Sequence, residues 1–390
     1  MRRLLLLSTL FLATISFIIS CKEDPTSAGV DLIPGEDFFQ NDSVDSFTDS
    51  LTQSSRTYTE KIELGASERI LLGKFDNMET EMLVRYAFVL PDSLEDPLTD
   101  DSLIVRDAWI EMISTYRLGD TLSTFDFSLH DITSDWSASG FDKDSLAALQ
   151  YNEINISSKS ITDTLIKFNI NPDIPFRWLK KIVDDDLADN YGLLFKPASF
   201  VNQIIGFPSY PNYENNLVYM VVEKPGSFID TLIAEPYLDI HVVQGTAVEG
   251  TTTTEYLQAG FSSRVRLQID LPSDLPAGTI INRAELELTA DPDLSINGNP
   301  STDSIYVYIF KDSTDTLYYD DRAALLIRDG NKFTGTVTSL VQSWLNGIEN
   351  YGFRLHLLDE SKSLSRIAIK SSGAVDLADR PRLKLIYTHK

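Results

Sequence analysis

One cysteine stands in 390 residues, beside only four histidines (His130, His241, His356 and His389) and four tryptophans. A single thiol rules out an internal disulfide framework and any multi-cysteine metal site. The histidines fall in no metal-ligand spacing, and there is no His-Glu-x-x-His. A Gly-x-Ser-x-Gly elbow, a glycine-rich nucleotide loop and a phosphate loop are also absent. Basic residues are scarce: 33 Lys and Arg against 58 Asp and Glu leave a net charge of −25. So acidic a chain has no patch that could displace counterions from phosphates, which excludes nucleic acid as a partner. Long hydrophobic runs are missing too. The near-apolar stretch 4–19 is sixteen residues, short of the roughly 20 that a membrane-spanning helix needs.

That stretch follows Arg2 and Arg3 and ends in Ser20-Cys21, giving a basic n-region, a short h-region and a small residue before the cysteine. It resembles a bacterial lipoprotein signal peptide (1–20). The resemblance implies cleavage before Cys21 and acylation, with palmitate among the acyl chains, of its thiol and new amine. Membrane attachment is then through the acyl chains, since the acidic body is repelled by anionic headgroups. Lys22, Glu23 and Asp24 resemble the export signal that sends lipoproteins of Bacteroidota to the outer face of the outer membrane. The expected location is therefore the outer membrane, lipid-anchored and facing the exterior. Eleven Asp-Ser/Thr-apolar (or Thr) triplets, from Asp42-Ser43-Val44 to Asp315-Thr316-Leu317, resemble that phylum's O-glycosylation sites and imply a glycoprotein. Composition alone gives about three such triplets, and turn chemistry before Leu- or Ile-initiated strands accounts for part of the excess.

The expected organisation continues with a lipidated flexible tether (21–55), acidic and rich in Ser and Thr. Beyond it, short alternating runs bounded by Gly, Pro, Asn and Asp predict strands, such as Ala284–Leu288, Tyr306–Phe310 and Phe353–Leu357. Four segments recur in order. Tyr86–Pro91 matches Leu267–Pro272, Val105–Met112 matches Ile281–Leu288, Asn190–Leu193 matches Asn350–Phe353, and Leu217–Met220 matches Leu383–Ile386. Each copy carries one helical stretch before its Asn-Tyr-Gly, built on Trp178 and Leu179 in the first and on Leu340, Val341 and Trp344 in the second. Those tryptophans are expected to plug the core. The expected fold is all-β: two tandem jelly-roll-like β-sandwich domains at 56–224 and 237–390, each with one short helix, joined by a linker at 225–236 around Pro225-Gly226.

In the second copy, Arg264–Pro272, Pro276–Leu286, Val341–Gly347, Asn350–Phe353 and Arg380–Leu385 are similar to the disaggregatase-related (DNRLRE) domain. That jelly-roll module is associated with extracellular polysaccharide. The first copy departs from the pattern, with Asp101–Ala108 in place of the Gly-x-x-Ile-x-x-Ala turn. The resemblance implies a fold and a ligand class and transfers no binding residue.

Alternation places His130 and His356 on solvent faces of their strands. Loop aromatics are the candidates for stacking on sugar faces: Tyr210 and Tyr213 in one loop, Tyr318 and Tyr319 in another. Asp291, Asp293 and Asn297 lie in a segment like the first half of a calcium loop, but Ser304 occupies the position where Glu is required, and a plain Asn-Gly turn fits equally. No other cofactor is expected. The leading expectation is a non-catalytic surface lipoprotein that binds or organises extracellular polysaccharide, neutral rather than acidic given the chain's charge. A structural or adhesive envelope protein contacting other surface proteins is the alternative. A carbohydrate-active enzyme would need a carboxylate pair that the sequence does not single out.

Overall fold

The structure, a computed structural model, describes residues 39–161, 165–211 and 216–390. Cys21, Lys22, Glu23, Asp24 and Tyr213 lie outside the described residues. Two strands come first, β1 (Gln40–Asp45) and β2 (Gln53–Thr59). One sheet is then built by β3 (Arg69–Phe75), β4 (Met78–Phe88), β5 (Ile104–Ile113), β6 (Tyr116–Gly119), β7 (Phe127–Asp131), β8 (Ser157–Ile161), β9 (Leu165–Ile170), β10 (Leu193–Pro197), β11 (Gln203–Pro208), β12 (Asn216–Lys224) and β13 (Phe228–Gln244). The other holds β14 (Thr254–Gln258), β15 (Ser263–Ile269), β16 (Ile280–Ile296), β17 (Ser304–Ile309), β18 (Ala324–Asp329), β19 (Lys332–Thr336), β20 (Phe353–Leu357), β21 (Arg366–Lys370) and β22 (Arg382–His389), together with β1 and β2.

The first sheet runs β6-β11-β3-β4-β13-β12-β5-β9-β8, with β10 pairing β4 and β7. The second runs β1-β22-β16-β19-β18-β17-β20-β15-β14-β21, and β21 pairs β16 again, so the sheet rolls over its own core. The chain is all-β and sandwich-like, as the alternation predicts. Period-2 patterning makes this possible: in β16 Leu286 and Leu288 are fully buried while Glu285 and Glu287 are not. Each such Leu, Ile or Phe contributes about 1.5–3 kcal/mol when removed from water. Two large clusters form the cores, one from residues 70–234 and one from Val44 with residues 257–387. A third cluster, Leu71, Met78, Tyr116, Leu118, Ile204 and Leu364, joins the two sheets. There the Leu364 N–H donates to Tyr116 Oη (3.1 Å), and Arg117 and Asn299 exchange backbone hydrogen bonds of 3.0 and 2.8 Å.

Two expected boundaries move. The tether was expected to reach residue 55, yet β1 pairs β22 and β2 pairs β15 in continuous antiparallel register. The 40–59 segment is polar because it forms edge strands half exposed to water; Val44 enters the core and Leu51 packs against it. The expected linker 225–236 is instead the turn and first half of a β12–β13 hairpin, with Lys224 opposite Phe228 and Ala234 opposite Val218. Pro225-Gly226 is its turn, with Gly226 at φ +75°, and β13 continues to Gln244 against β4.

The two halves share several strand pairings, in a register other than the one expected. β5 pairs β12 as β16 pairs β22, and β4 pairs β10 as β15 pairs β20. Asn190 Nδ2 donates to Tyr86 O (2.6 Å) while its Oδ1 accepts from Gly192 N (2.9 Å). Asn350 repeats this with Ile269 O (2.9 Å) and Gly352 N (3.0 Å). Gly192 and Gly352 take φ of +85° and +90°, and a Cβ at either would lie 2.3 or 2.8 Å from the carbonyl of Val84 or Leu267. Tyr86 therefore corresponds to Ile269, two residues from the match expected. Likewise Ala108 opposite Met220 and Ala284 opposite Leu385 equate Val218, not Leu217, with Leu383. Leu217 and Val218 are both apolar, so the sequence could not choose between them.

Four α-helices occur among the described residues: α1 (Asp92–Thr99), α2 (Lys143–Ala148), α3 (Asp173–Lys180) and α4 (Thr338–Leu345). α3 and α4 are the two expected, and Trp178 and Trp344 are buried in the cores. The first copy thus carries three helices rather than one. α1 contains Pro97, and α2 is six residues held by its Asp142 cap, so neither shows a helical period long enough to read. No helix among the described residues is long and apolar enough to cross a membrane.

Candidate functional site

Four neighbouring strands, β17, β20, β15 and β2, present one outer face. Their inward residues, including Val307, Leu355 and Leu267, are fully buried. Alternation then forces the intervening side chains outward, and cross-strand register aligns them in two rows. Tyr308, Arg354, Arg266 and Arg56 are paired in sequence across the four strands. Beside them Tyr306 stands opposite His356, and Arg264 opposite Tyr58.

At the β17–β20 end the rings meet. Tyr306, Tyr308 and His356 lie with centroids 5.4–5.9 Å apart, and Tyr308 stacks on His356 at 13°. Tyr318 joins from the loop after β17, edge-on to Tyr308 at 5.2 Å and 4.0 Å from the Arg354 guanidinium. All four rings are half-buried, leaving an aromatic patch open to solvent. Two backbone bonds, Lys311 N to Leu317 O (2.9 Å) and Tyr319 N to Ile309 O (3.0 Å), turn the loop back over the face. Asp315 fastens it to Arg56 (2.6 Å) and Arg266 (2.9 Å).

Beneath the patch lies a charge network. Arg264 donates from Nε and Nη2 to the two oxygens of Glu360 (2.7 and 2.8 Å) and from Nη1 to Glu60. Arg354 Nη2 donates to the same Glu60 oxygen at 3.2 Å. Arg264, Arg354 and Glu360 are buried. Burial, reinforced by the two arginines, lowers His356 to about 4 although Glu360 pulls the other way. His356 is therefore neutral at pH 7, and the two arginines balance the two carboxylates. A neutral aromatic surface above a balanced network can stack on apolar sugar faces; it holds no nucleophile–base pair.

The residues expected to act divide. Tyr318 belongs to the patch. Its neighbour Tyr319 packs against the core, with the Lys311 and Arg322 cations 5.0 and 5.5 Å from its ring. Tyr210 is half exposed on a separate loop, and its N–H donates to Asp239 at 2.8 Å. Asp291 is bound by Lys370 at 2.6 Å, which lowers its pKa, and Asp291 Oδ1 accepts from Asp293 N. Asn297 Oδ1 accepts from Arg328 at 3.5 Å. These three side chains do not converge, and among the described residues no group of three His, Cys, Asp or Glu could hold a metal ion. His130 is not on a solvent face: it is buried, with its ring 5.2 Å from that of Tyr151, and is bonded to Asn152 O (3.0 Å) and Ser128 Oγ (2.8 Å). His356 does face outward, half-buried against the tyrosine rings and Glu360.

Tyr306 and Tyr308 lie in an expected strand and are not among the loop aromatics. Their i, i+2 spacing was the available signal, since it places both rings on one face. The chain matches no family model and no curated protein.

Proposed function

We propose that this is a non-catalytic, lipid-anchored surface protein of the outer membrane that binds neutral polysaccharide through the Tyr306, Tyr308, Tyr318 and His356 patch. The four-ring patch on an open sheet face carries the binding reading. The neutral state of His356 and the balanced charges beneath favour an uncharged ligand. The jelly-roll resemblance of the second copy agrees with it. Anchoring rests on the Ser20-Cys21 junction, and surface orientation on Lys22, Glu23 and Asp24. Seven of the triplet hydroxyls are exposed (Ser43, Ser50, Ser93, Thr121, Thr231, Ser313 and Thr316), which supports O-glycosylation.

Labelled palmitate should be incorporated, and Cys21→Ala should move the protein from the membrane to the soluble fraction; a membrane-retained variant would refute the anchor. On an array of neutral glycans the full-length protein in detergent should bind at least one. Tyr306→Ala/Tyr308→Ala should weaken that binding tenfold or more, about 1.4 kcal/mol, while Tyr210→Ala leaves it unchanged. Undiminished binding by the double variant would remove the patch from the reading. Silence across the array, with other surface proteins co-purifying, would replace glycan binding by adhesion.

A further inference from the structure

Among the described residues β2 has a partner on one side only, β15. In its ladder Glu60 N donates to Ser262 O and Asp270 N donates to Thr52 O. Antiparallel geometry alternates hydrogen-bonded and open pairs, so the even-numbered residues 54, 56 and 58 bond to β15. The backbone N–H and C=O groups of Ser55, Thr57 and Thr59 therefore point away from the sheet. Among the described residues no backbone bond reaches them.

Along this edge runs a groove of about 640 Å³, lined by the consecutive residues Ser55–Thr59 on one wall and 247–252 on the other. Successive residues of a strand can all line one groove only if it follows the strand's edge rather than a face. Five residues of strand span roughly 17 Å. The opposite wall is preformed: Val248 N donates to Gln258 Oε1 (3.2 Å), Thr251 N to Thr254 O (2.7 Å), and Ser371 Oγ to Thr252 O (2.7 Å). Gly250 closes in over the floor, where a Cβ would lie 2.2 Å from Glu255 Oε2. Ser55 and Thr57 hydroxyls fix that buried carboxylate at 3.0 and 2.8 Å.

We propose that this groove is a docking slot in which an extended segment of another protein, neutral or basic, adds a strand to β2. An unpaired sheet edge is a template for strand addition, with main-chain bonds supplying affinity. Glu249 is exposed at the rim and Glu255 lies on the floor. The one cation, Arg56, is tied to Asp315, so the slot is net negative within a chain of charge −25. That charge favours a basic segment and opposes a second copy of the same chain. A sugar chain fits less well, because the lining offers a single ring, Tyr58, and that ring already packs against Phe310 at 6.2 Å.

The test uses the full-length protein in detergent with the decapeptide (Thr-Lys)5, its inverse (Thr-Glu)5, and (Thr-Lys)5 N-methylated at every residue, which leaves no amide donor on either edge. Amide hydrogen exchange is read at Ser55, Thr57 and Thr59. (Thr-Lys)5 should slow exchange there at least tenfold while leaving residues 54, 56 and 58 unchanged, and the other two peptides should not. Thr59→Pro, which removes one outward N–H and keeps the β15 ladder, should abolish the protection. Equal protection by the N-methylated peptide would mean charge attraction without strand addition and would overturn the proposal, as would no protection at all. Protection by maltoheptaose with the peptides silent would assign the slot to sugar. Protection that appears on concentrating the protein alone would assign it to a second copy, and either result overturns the peptide reading.

Discussion

Replacing Glu360 with glutamine should destabilise the protein by about 3–5 kcal/mol, among the largest effects available to a single polar substitution. Glu360 is buried and accepts two charge-assisted hydrogen bonds from a buried arginine. Removing its charge leaves Arg264 sharing Glu60 with Arg354, so two buried cations face one carboxylate. Neither guanidinium can shed its proton, so the excess charge stays in a low-dielectric site. The comparison is Glu285→Gln, whose partner Arg283 is exposed; that change should cost less than about 1 kcal/mol. Urea unfolding of both variants checks the contrast. If both midpoints moved equally, the network would be a solvated surface array with no buried excess of charge.

The pH dependence of stability should change sign between two single variants in the other sheet. Asp239 lies in β13 opposite Val84, and His241 opposite Met82. Burial raises the Asp239 carboxyl from 3.8 to about 7, opposed only in part by the Tyr210 N–H, and lowers the fully buried His241 imidazole from 6.5 to about 3. Among the described residues neither His241 nitrogen has a hydrogen-bond partner. Between about pH 4 and 7 the unfolded chain has released the Asp239 proton while the folded protein keeps it, so stability falls as pH rises. Between about pH 3 and 6.5 only the unfolded chain protonates His241, so stability rises with pH. Each effect is about 4 kcal/mol, and over their shared range they nearly cancel. Asp239→Asn should therefore show stability climbing from pH 3 to 6.5. His241→Gln should show it falling from pH 4 to 7. Relative to the parent, Asp239→Asn should gain about 4 kcal/mol between pH 4 and pH 8. Urea titrations at pH 4, 5.5, 7 and 8 measure these differences, from which groups common to all three proteins drop out. Parallel curves would mean that Asp239 is solvated in the folded protein.

The strand class, the inward residues of β15, β16, β17 and β20, both core tryptophans and the duplicated Asn-Tyr-Gly clasp were legible in the sequence. All follow from local rules: a two-residue side-chain period, a helical spacing, and a glycine where φ is positive. The patch was half legible. Tyr318 was chosen as a loop aromatic, but its ring matters because Tyr308 and Arg354 receive it, and they reside on strands 10 and 36 residues away. Tyr319, an aromatic of the same loop, packs against the core instead.

By itself the sequence determined the all-β class, the acidic net charge, and which side of most strands faces the core. Tertiary structure alone decided that residues 40–59 complete a sheet otherwise built from residues 254–389. It also decided that 225–236 is a hairpin, and that His130 is buried. Strand identity depends on neighbours within a few residues, whereas pairing partners depend on contacts between distant ones, such as Val44 opposite Leu385 and Arg56 opposite Arg266. A polar edge strand and a polar tether have the same local pattern. Only the unpaired edges of β22 and β15 distinguish them, because they offer backbone partners that a tether does not meet.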